Sequence, residues 1–312
     1  MKSCKPGLEY TQKPNKWQRY AVIKIVTYNI QFGRGRDEKI DLDRIVNSIQ
    51  GADVIALQEV DRYWSRSGNI DEVSVITDRL PNFDFAYSAG VDQAIPGKIG
   101  ADGRLKRQQF GNLLLSRNPI HYVRQHLLPK YASTGPLSIQ RSALECVIET
   151  ENGLVRFYSL HLTHLTSETR MPQVKELLRI HREAGIEGPP VCGDIEMSGY
   201  WSEGMAKTSA PDAAVLLGDF NFQPDSNEYT EMVGPLTPCD GRVTHPLGFV
   251  DAWVHAGGDE GGGKTKLLRV GSTPARLDYA FVSASLRDQI RSCWIDVDAD
   301  GSDHQPLWLE LN

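Results

Sequence analysis

Runs of apolar and β-branched residues recur along the chain at lengths typical of buried strands. The first is AVIKIVTY at 21–28, and after a loop comes IDLDRIVNSIQGADVIALQEV, where apolar residues recur first at helical spacing and then continuously. Asp41 is placed as the N-cap of that helix and Gly51 as its end. The pattern predicts strand, helix and strand, and two strands connected in this way are commonly neighbours in one sheet.

The same pattern predicts further elements up to the end of the chain. Additional helices are predicted at 71–80 and 168–184, and additional strands at 83–88, 111–116, 121–128, 141–149, 154–162, 214–217, 280–283 and 307–311. Since some strands follow one another directly and others are separated by helices, we expect an α/β protein with mixed or antiparallel sheets. No shift in composition marks a boundary, so we expect one domain at 21–312, preceded by a polar N-terminal arm at 1–20.

Composition narrows the class of protein. The 312 residues carry 40 acidic and 34 basic side chains, a net charge of -6, which gives no overall attraction to a phosphate backbone. No segment reaches the roughly 18 apolar residues that span a bilayer. The N-terminal residues lack the apolar region of a signal peptide. The five cysteines are far apart and form no CxxC, which does not fit a disulfide framework or a zinc site. We expect a cytoplasmic protein with reduced thiols.

Two stretches depart from the average charge. The stretch from Lys98 to Arg124 holds six basic residues and one acid, whereas the stretch from Glu183 to Asp212 holds six acids and one base. Each is consistent with a solvated loop. Alternatively, the first forms a phosphate-attracting lip and the second, an insertion at about 183–212, a lid over a site in which Trp201 packs on the substrate.

Polar side chains stand at the ends of the apolar strands. Because strand ends converge at the edge of a packed sheet, where ligand sites are commonly built, these residues form a candidate site. Seven acid, amide or imidazole residues share this placement: Asn29, Glu59, His161, Asp219, Asn221, Asp303 and His304.

Seven ordered segments carry a resemblance to a known family. They are TYNI at 27–30, LQEV at 57–60, GNLLLSR at 111–117, SLHLTH at 159–164, LLGDFN at 216–221, RLDYAFVS at 276–283 and SDHQPL at 302–307. In order and spacing the chain resembles, from about residue 21 to 312, the endonuclease/exonuclease/phosphatase superfamily with the DNase I-like fold. The resemblance implies a four-layer α/β/β/α sandwich with the site at one rim.

The resemblance also implies a Mg²⁺ or Mn²⁺ site with Asn29 and Glu59 as ligands and Asp303 close to the metal. Hard oxygen ligands of this kind favour Mg²⁺ over zinc. Asp219 would orient or deprotonate an attacking water. The other implied catalytic roles fall to Asn221, which holds the water or a phosphate oxygen, to His304, which is oriented by Asp278 and stabilises phosphoryl charge, and to His161, which donates to the phosphate or the leaving group.

Two features discriminate within the family. Abasic-site endonucleases of the exonuclease III type carry Tyr where this chain has His161, so the chain is more similar to the DNase I, sphingomyelinase and inositol-phosphatase members. DNase I-like nucleases support that His with a Glu, but AYSAG at 86–90 lacks an acid and Asp92 is the nearest candidate. Asn112 is a candidate substrate-binding residue, and Arg170 either reaches a phosphate or forms a surface ion pair.

These observations predict a metal-dependent hydrolase of phosphate esters, with a diester of a small organic phosphate or lipid headgroup as substrate. An acidic loop near the site would repel a long DNA backbone. One alternative is a nuclease that holds nucleic acid with the basic stretch at 98–124. Another is a non-catalytic binding module on the same fold. The oligomeric state is left open by the sequence.

Overall fold

Two six-stranded sheets carry the fold. The computed structural model describes residues 22–194, 204–205, 207–266 and 273–312. The first sheet contains β1 (Ile23–Asn29), β2 (Val54–Arg62), β3 (Asp84–Ile99), β4 (Leu105–Ser116), β11 (Ile290–Ile295) and β12 (Leu307–Leu311), in the order β11-β12-β1-β2-β4-β3. The second contains β5 (Ile120–Leu127), β6 (Ser142–Thr150), β7 (Gly153–His161), β8 (Ala214–Asp219), β9 (Phe249–Asp251) and β10 (Asp278–Ser283), in the order β5-β6-β7-β8-β10-β9.

Helices cover the outer faces of both sheets. They are α1 (Leu42–Ser48) and α2 (Glu72–Arg79) on the first sheet and α3 (Ser167–Glu187) and α4 (Asn227–Val233) on the second. A further short helix, α5 (Ala252–His255), contacts the edge strands β9 and β11 and so lies between the two sheets at one edge. One apolar cluster fills the space between the sheets, a second lies between the first sheet and α1 and α2, and a third between the second sheet and α3 and α4. Three apolar layers require four layers of backbone, which confirms the four-layer α/β/β/α sandwich. None of the helices among the described residues is both long and apolar enough to cross a membrane.

Two parallel strand pairs bring the strand ends to one rim. β1 pairs with β2 in parallel across the α1 crossover, and β7 pairs with β8 in parallel across α3. In each of these parallel pairs the carboxyl ends of both strands therefore lie at the same edge of the sheet.

The predicted N-cap of α1 is confirmed, because the Asp41 carboxylate accepts hydrogen bonds from the backbone N–H groups of Asp43 and Arg44 at 2.9 and 3.3 Å.

The structure also differs from the expected elements. The strands β9 and β11 and the helices α4 and α5 were not expected, and β3 and β4 extend beyond 83–88 and 111–116 into a long hairpin. The first part of the basic stretch therefore forms the tip of this hairpin rather than a loop. The arm at 1–20 and Trp201 lie outside the described residues. Cys146, Cys192, Cys239 and Cys293 are free thiols.

Candidate active site

Strand register places four of the candidate side chains at one rim. Asn29 ends β1 opposite Gln58, and His161 ends β7 opposite Asp219 at the end of β8. β10 runs antiparallel to β8 and begins at Asp278, which is also paired with Asp219. The start of an antiparallel strand and the end of its neighbour share an edge, so both sheets contribute to the same site.

A β-bulge directs Glu59 into the site. The pairing of β2 with β4 shifts register between Leu57 and Val60, and Glu59 has φ = 60°, in the left-handed region. Asn221, just after β8, also lies there, with φ = 54°. A side chain other than glycine is strained in this region, and such strain is concentrated at functional sites. The backbone at both positions is therefore bent in a way that sheet formation alone does not require.

Asp219 is the centre of the hydrogen-bond network. The Asn29 amide nitrogen donates to Asp219 Oδ2 and to Glu59 Oε1, both at 3.0 Å. His161 Nε2 lies 3.4 Å and His304 Nε2 lies 3.7 Å from Asp219 Oδ2. The other oxygen, Oδ1, accepts from the Asn221 backbone N–H at 2.9 Å. The Asp219 carboxylate is thus within reach of four of the predicted residues.

His304 and Asp278 form a buried pair. His304 Nδ1 lies 2.7 Å from Asp278 Oδ2, and both side chains are almost fully buried. Burial by itself lowers the pKa of His304, but the charges of Asp278 and Asp219 outweigh burial and raise it to about 9. Burial raises the pKa of Asp219 to about 6, against the charge of His304. The raised pKa of His304 favours its imidazolium form at neutral pH, next to the carboxyl groups of Asp278 and Asp219.

His161 has the opposite electrostatic environment. Burial, followed by the nearby Arg141 guanidinium, holds the pKa of His161 well below its usual range. Its Nδ1 is buried without a hydrogen-bond partner among the described residues, and the nearest carboxylate oxygen, Glu59 Oε1, is 4.0 Å away. A neutral imidazole can donate one hydrogen bond but carries no positive charge. The pKa values of the two histidines of the site are therefore shifted in opposite directions.

The side chains of three further predicted residues, Asn221, Asp303 and Asn112, contact groups other than Asp219. Asn221 donates its side-chain amide to the Leu162 carbonyl at 3.0 Å, next to His161 in the chain. Asp303 forms a salt bridge with Lys266, while its Oδ1 is buried and has no hydrogen-bond partner in the described part of the chain. Asn112 is buried and donates to the Ser142 carbonyl at 2.8 Å.

Two candidates are paired with other side chains. Arg170 Nε lies 3.0 Å from Glu228 Oε1, and its Nη1 donates to the Thr163 carbonyl at 3.1 Å. Arg170 therefore forms an ion pair, the second of the two expectations, though with a buried partner. Asp92 binds Arg107 at 2.7 Å and Gln109 at 2.9 Å rather than His161.

The structure adds two cations that sequence reasoning missed. Arg141 is 5% exposed, its Nε and Nη1 have no hydrogen-bond partner among the described residues, and it interacts electrostatically with Glu59 and Asp219. Arg141 directly precedes β6, which runs antiparallel to β7, so it lies at the same rim as His161. Lys266, the partner of Asp303, lies close enough to lower the pKa values of both site histidines.

The donor set fits a divalent cation that prefers oxygen. Two groups of side chains place all their ligand atoms within 4.8 Å of one another, Glu59 with His161 and Asp219, and Asp219 with Asp278 and His304. The carboxylate oxygens of Glu59 and Asp219 share one amide donor, and Asp303 supplies an unpaired buried oxygen. Oxygen-rich sites with few nitrogen ligands and no thiolates suit Mg²⁺ or Mn²⁺.

Comparisons with known proteins agree with this architecture. A model of the Endonuclease/Exonuclease/phosphatase family matches residues 26–304. A comparison with curated proteins finds no significant match.

Solved structures share the fold at low identity. An endonuclease/exonuclease/phosphatase from Beutenbergia cavernae is 19% identical with a TM-score of 0.62, covering 93% of this chain and 71% of that one. A family protein from Leptotrichia buccalis is 19% identical with a TM-score of 0.60, covering 93% and 99%. A mannosyl-6-phosphatase from Bacteroides thetaiotaomicron is 17% identical with a TM-score of 0.55, covering 93% and 99%. The chain belongs to the Endonuclease/Exonuclease/phosphatase family.

Proposed function

We propose that this protein is a Mg²⁺- or Mn²⁺-dependent phosphodiesterase that hydrolyses a small organic phosphate or lipid headgroup ester by attack of water on phosphorus. The observation that carries the proposal is the placement of Asp219 within reach of Asn29, His161 and His304. A buried carboxylate, a cationic imidazole and a neutral imidazole at one rim supply the acid and base groups that in-line phosphoryl transfer needs.

Asp219 acts as the base in this proposal. Its Oδ1 is held by the Asn221 N–H and its Oδ2 by the Asn29 amide, so the carboxylate is fixed before water arrives. A pKa of about 6 leaves it ionised at neutral pH yet more basic than an ordinary Asp. Asn221, with its side chain anchored at Leu162, holds the water or a phosphate oxygen.

The two histidines have different roles in the proposed mechanism. His304, kept as imidazolium by Asp278, stabilises negative charge on the phosphoryl oxygens. His161, neutral because it is buried beside Arg141, donates a hydrogen bond to the phosphate or the leaving oxygen. Each assignment follows from the direction of the pKa shift and its cause.

Glu59, Asp303 and Asn29 would hold the divalent ion, with Asp219 nearby. The ion would offset charge that develops on the leaving oxygen. The Asn29 amide presents nitrogen to Glu59 and Asp219, and a rotation of that amide exchanges its nitrogen for its oxygen, the atom a cation binds.

Arg141 favours a diester over a monoester. It is buried with two nitrogens that have no hydrogen-bond partner among the described residues, whereas Lys266 is neutralised by Asp303. The charge of this guanidinium is offset only in part by Glu59 and Asp219, so a single negative charge, as on a phosphodiester, matches it better than the two charges of a monoester. The fold of the Bacteroides mannosyl-6-phosphatase is shared, but at 17% identity it says nothing about the ester that this chain cleaves. A cytoplasmic location remains part of the proposal.

A nuclease is the second candidate, and the hairpin tip favours it. Lys98, Arg104 and Lys106 are exposed there, and no salt bridge to any of them occurs in the described part of the chain. A projecting cationic arm of this kind suits a polyanion.

A substrate panel tests the proposal. Bis-p-nitrophenyl phosphate, p-nitrophenyl phosphate, sphingomyelin, plasmid DNA and single-stranded DNA are each assayed with Mg²⁺, with Mn²⁺ and with EDTA. We expect metal-dependent hydrolysis of the small diester at a higher kcat/KM than of the monoester. Rapid plasmid nicking at physiological salt would establish the nuclease instead, and turnover of nothing in the panel would favour a binding module.

A further inference from the structure

A groove of about 550 Å³ lies beside the candidate active site. Its walls come from the segment after β2, from the β3–β4 hairpin and from residues 137–140, the end of the loop between β5 and β6. Its lining includes the side chains of Trp64, Arg66, Phe110, Leu137 and Ile139. Aromatic and aliphatic side chains dominate this surface, which differs from the charged rim next to it.

The groove is continuous with the rim. The Phe110 ring, at the groove, lies with its centroid 6.5 Å from that of His161. On the other wall Gln140 lines the groove and is followed by Arg141, the buried cation of the site. A phosphoryl group held between Arg141 and His161 would therefore carry one of its organic groups into the groove.

The groove walls are held in fixed positions. The Trp64 indole N–H donates to the Gln109 carbonyl at 2.7 Å, which fixes the ring. Arg66 binds the buried Asp61 carboxylate through two nitrogens at 2.9 and 2.8 Å. Its Cζ then lies 4.5 Å from the Trp64 centroid and 5.2 Å from that of Phe110. A preformed wall of stacked planar groups costs little ordering entropy when a ligand binds.

Charges at the groove are balanced within it. Arg66 is neutralised by Asp61, and Asp92 by Arg107. The charged side chains in the groove lining, Arg66 and Asp92, are thus both paired. We therefore do not expect the groove to attract an ionised substituent or a quaternary ammonium group. The Arg66 guanidinium is already stacked on Trp64 and Phe32, so the aromatic rings of Trp64 and Phe110 are the planar groups available to a ligand. They favour a planar ligand, because stacking on an aromatic ring adds attraction beyond the area that is buried.

We propose that this groove binds an uncharged aromatic ring carried by one ester arm of the substrate. The inference rests on the proposed function for the position of the phosphate. It narrows the substrate class to phosphoesters with an aryl or heteroaryl group close to phosphorus. An alkyl chain or a charged headgroup would not stack on the aromatic rings of Trp64 and Phe110.

Phosphonates test the groove separately from hydrolysis, because their C–P bond is not an ester. Benzylphosphonate, cyclohexylmethylphosphonate and methylphosphonate are titrated into the full-length wild-type protein with Mg²⁺, and Kd is measured by calorimetry. We expect benzylphosphonate to bind about tenfold more tightly than methylphosphonate and about threefold more tightly than the cyclohexyl compound. Equal affinity of the two ring compounds would overturn the aromatic assignment, and no preference over methylphosphonate, or no binding, would overturn the groove as a subsite.

Variants assign the effect to the groove. Leu137→Ser changes a side chain that is 77% exposed, and Trp64→Leu removes the indole face. Both should reduce the benzyl preference at least threefold. Leu236→Ser, at a leucine 63% exposed outside the groove lining, is the matched control and should retain it. An unchanged preference in both groove variants contradicts the proposal. A benzyl preference without metal-dependent ester hydrolysis would refute the proposed function and leave the groove assignment standing.

Discussion

The contacts of His304 with Asp278 and Asp219 show how single residues determine the protonation of a side chain at this rim. A His between two carboxylates is stabilised as the cation, although it is fully buried and burial alone would favour the neutral form. Replacement of either carboxylate by its amide retains the shape and removes the charge. The protonation state of His304 is therefore the property that such variants change most directly.

Asp278→Asn is expected to lower the alkaline limit of activity. The proposed mechanism needs ionised Asp219, with a pKa of about 6, and protonated His304, with a pKa of about 9, so kcat/KM should fall below the first value and above the second. Without the Asp278 charge the pKa of His304 falls, and the alkaline limb moves to lower pH. The rate at the optimum should also drop by roughly 10²-fold or more.

The pH profile of kcat/KM on bis-p-nitrophenyl phosphate measures this effect. Asp288→Asn changes an exposed Asp whose one ion pair in the described part of the chain is with its neighbour Arg287, and this variant should retain the wild-type profile. An alkaline limb that stays in place in Asp278→Asn would show that His304 is not the titrating group.

Arg141→Met is expected to lower activity without lowering stability. The guanidinium is buried, and two of its nitrogens have no hydrogen-bond partner among the described residues, which costs free energy in the folded protein. We expect the free energy of unfolding to be unchanged or to increase by about 1 kcal/mol, while kcat/KM falls by about 10- to 100-fold.

Arg156→Met is the contrasting variant for the same measurement. Arg156 is equally buried but donates to the Pro211 carbonyl, the Tyr158 hydroxyl and the His181 ring. Its loss leaves buried groups without partners and should cost about 3 kcal/mol in urea unfolding. If Arg141→Met destabilised the protein as much, Arg141 would be a structural residue.

At the residue scale the sequence predicted the carboxylates, amides and imidazoles of the rim but missed Arg141. The candidate residues follow strands, whereas Arg141 directly precedes one, β6. In an antiparallel pair the start of one strand lies at the same edge as the end of its neighbour, so a polar residue before a strand can belong to the same site. Lys266 lies in a loop and has no comparable signal.

At the element scale the close approach of β7 and β8 holds His161 and Asp219 in register. Gly218 has φ = 153°, and a Cβ placed there would lie 1.9 Å from the Leu160 carbonyl oxygen. Only glycine allows the two strands to pair at this point, one residue before Asp219.

Gly218→Ala is therefore expected to destabilise the fold by about 3 kcal/mol or more, since the clash is with backbone and cannot be relieved by a side-chain rotation. Gly153→Ala is the matched control, because Gly153 also has positive φ but nothing within 4 Å of the added Cβ. The control should lose about 1 kcal/mol from backbone strain alone. Equal losses of unfolding free energy in the two variants would contradict the close-packing argument.

The apolar pattern predicts most strands of both sheets, including the edge strands β3 and β5, but it does not predict β9, β11, α4 or α5. The outer strand β9 has three residues, and β11, at the edge of the other sheet, mixes exposed and partly buried positions in the sequence IRSCWI. Helix α4 has seven residues and is set by its Ser226 cap, whose hydroxyl accepts from the Tyr229 N–H. Their signals are weak because tertiary packing, not local periodicity, stabilises them.

At the scale of the whole molecule, charge is segregated although the net value is only -6. The hairpin tip is cationic, but the two stretches also neutralise each other in part, because Arg124 of the basic stretch binds Glu187 of the acidic one at 2.6 Å. The net charge of the chain does not indicate that the basic and acidic stretches contact each other.

The triple variant Lys98→Ser, Arg104→Ser, Lys106→Ser separates the two candidate functions. If the substrate is small, kcat/KM on bis-p-nitrophenyl phosphate should change less than twofold at 0.15 M salt, where exposed charges are screened over roughly 8 Å. For a nuclease the same variant should reduce DNA cleavage severalfold and flatten its salt dependence. A severalfold loss on the small diester would contradict the placement of the substrate at the rim.

In the proposed mechanism, Asp219 at the rim between the two sheets is the base for metal-dependent hydrolysis. The most direct test is kcat/KM for bis-p-nitrophenyl phosphate with Mg²⁺ at pH 7.5, measured for wild type and for Asp219→Asn of matched thermal stability. We predict a decrease of about 10³-fold, typical for the loss of a base that is fixed in place. A variant that retains activity within threefold of wild type would contradict the account.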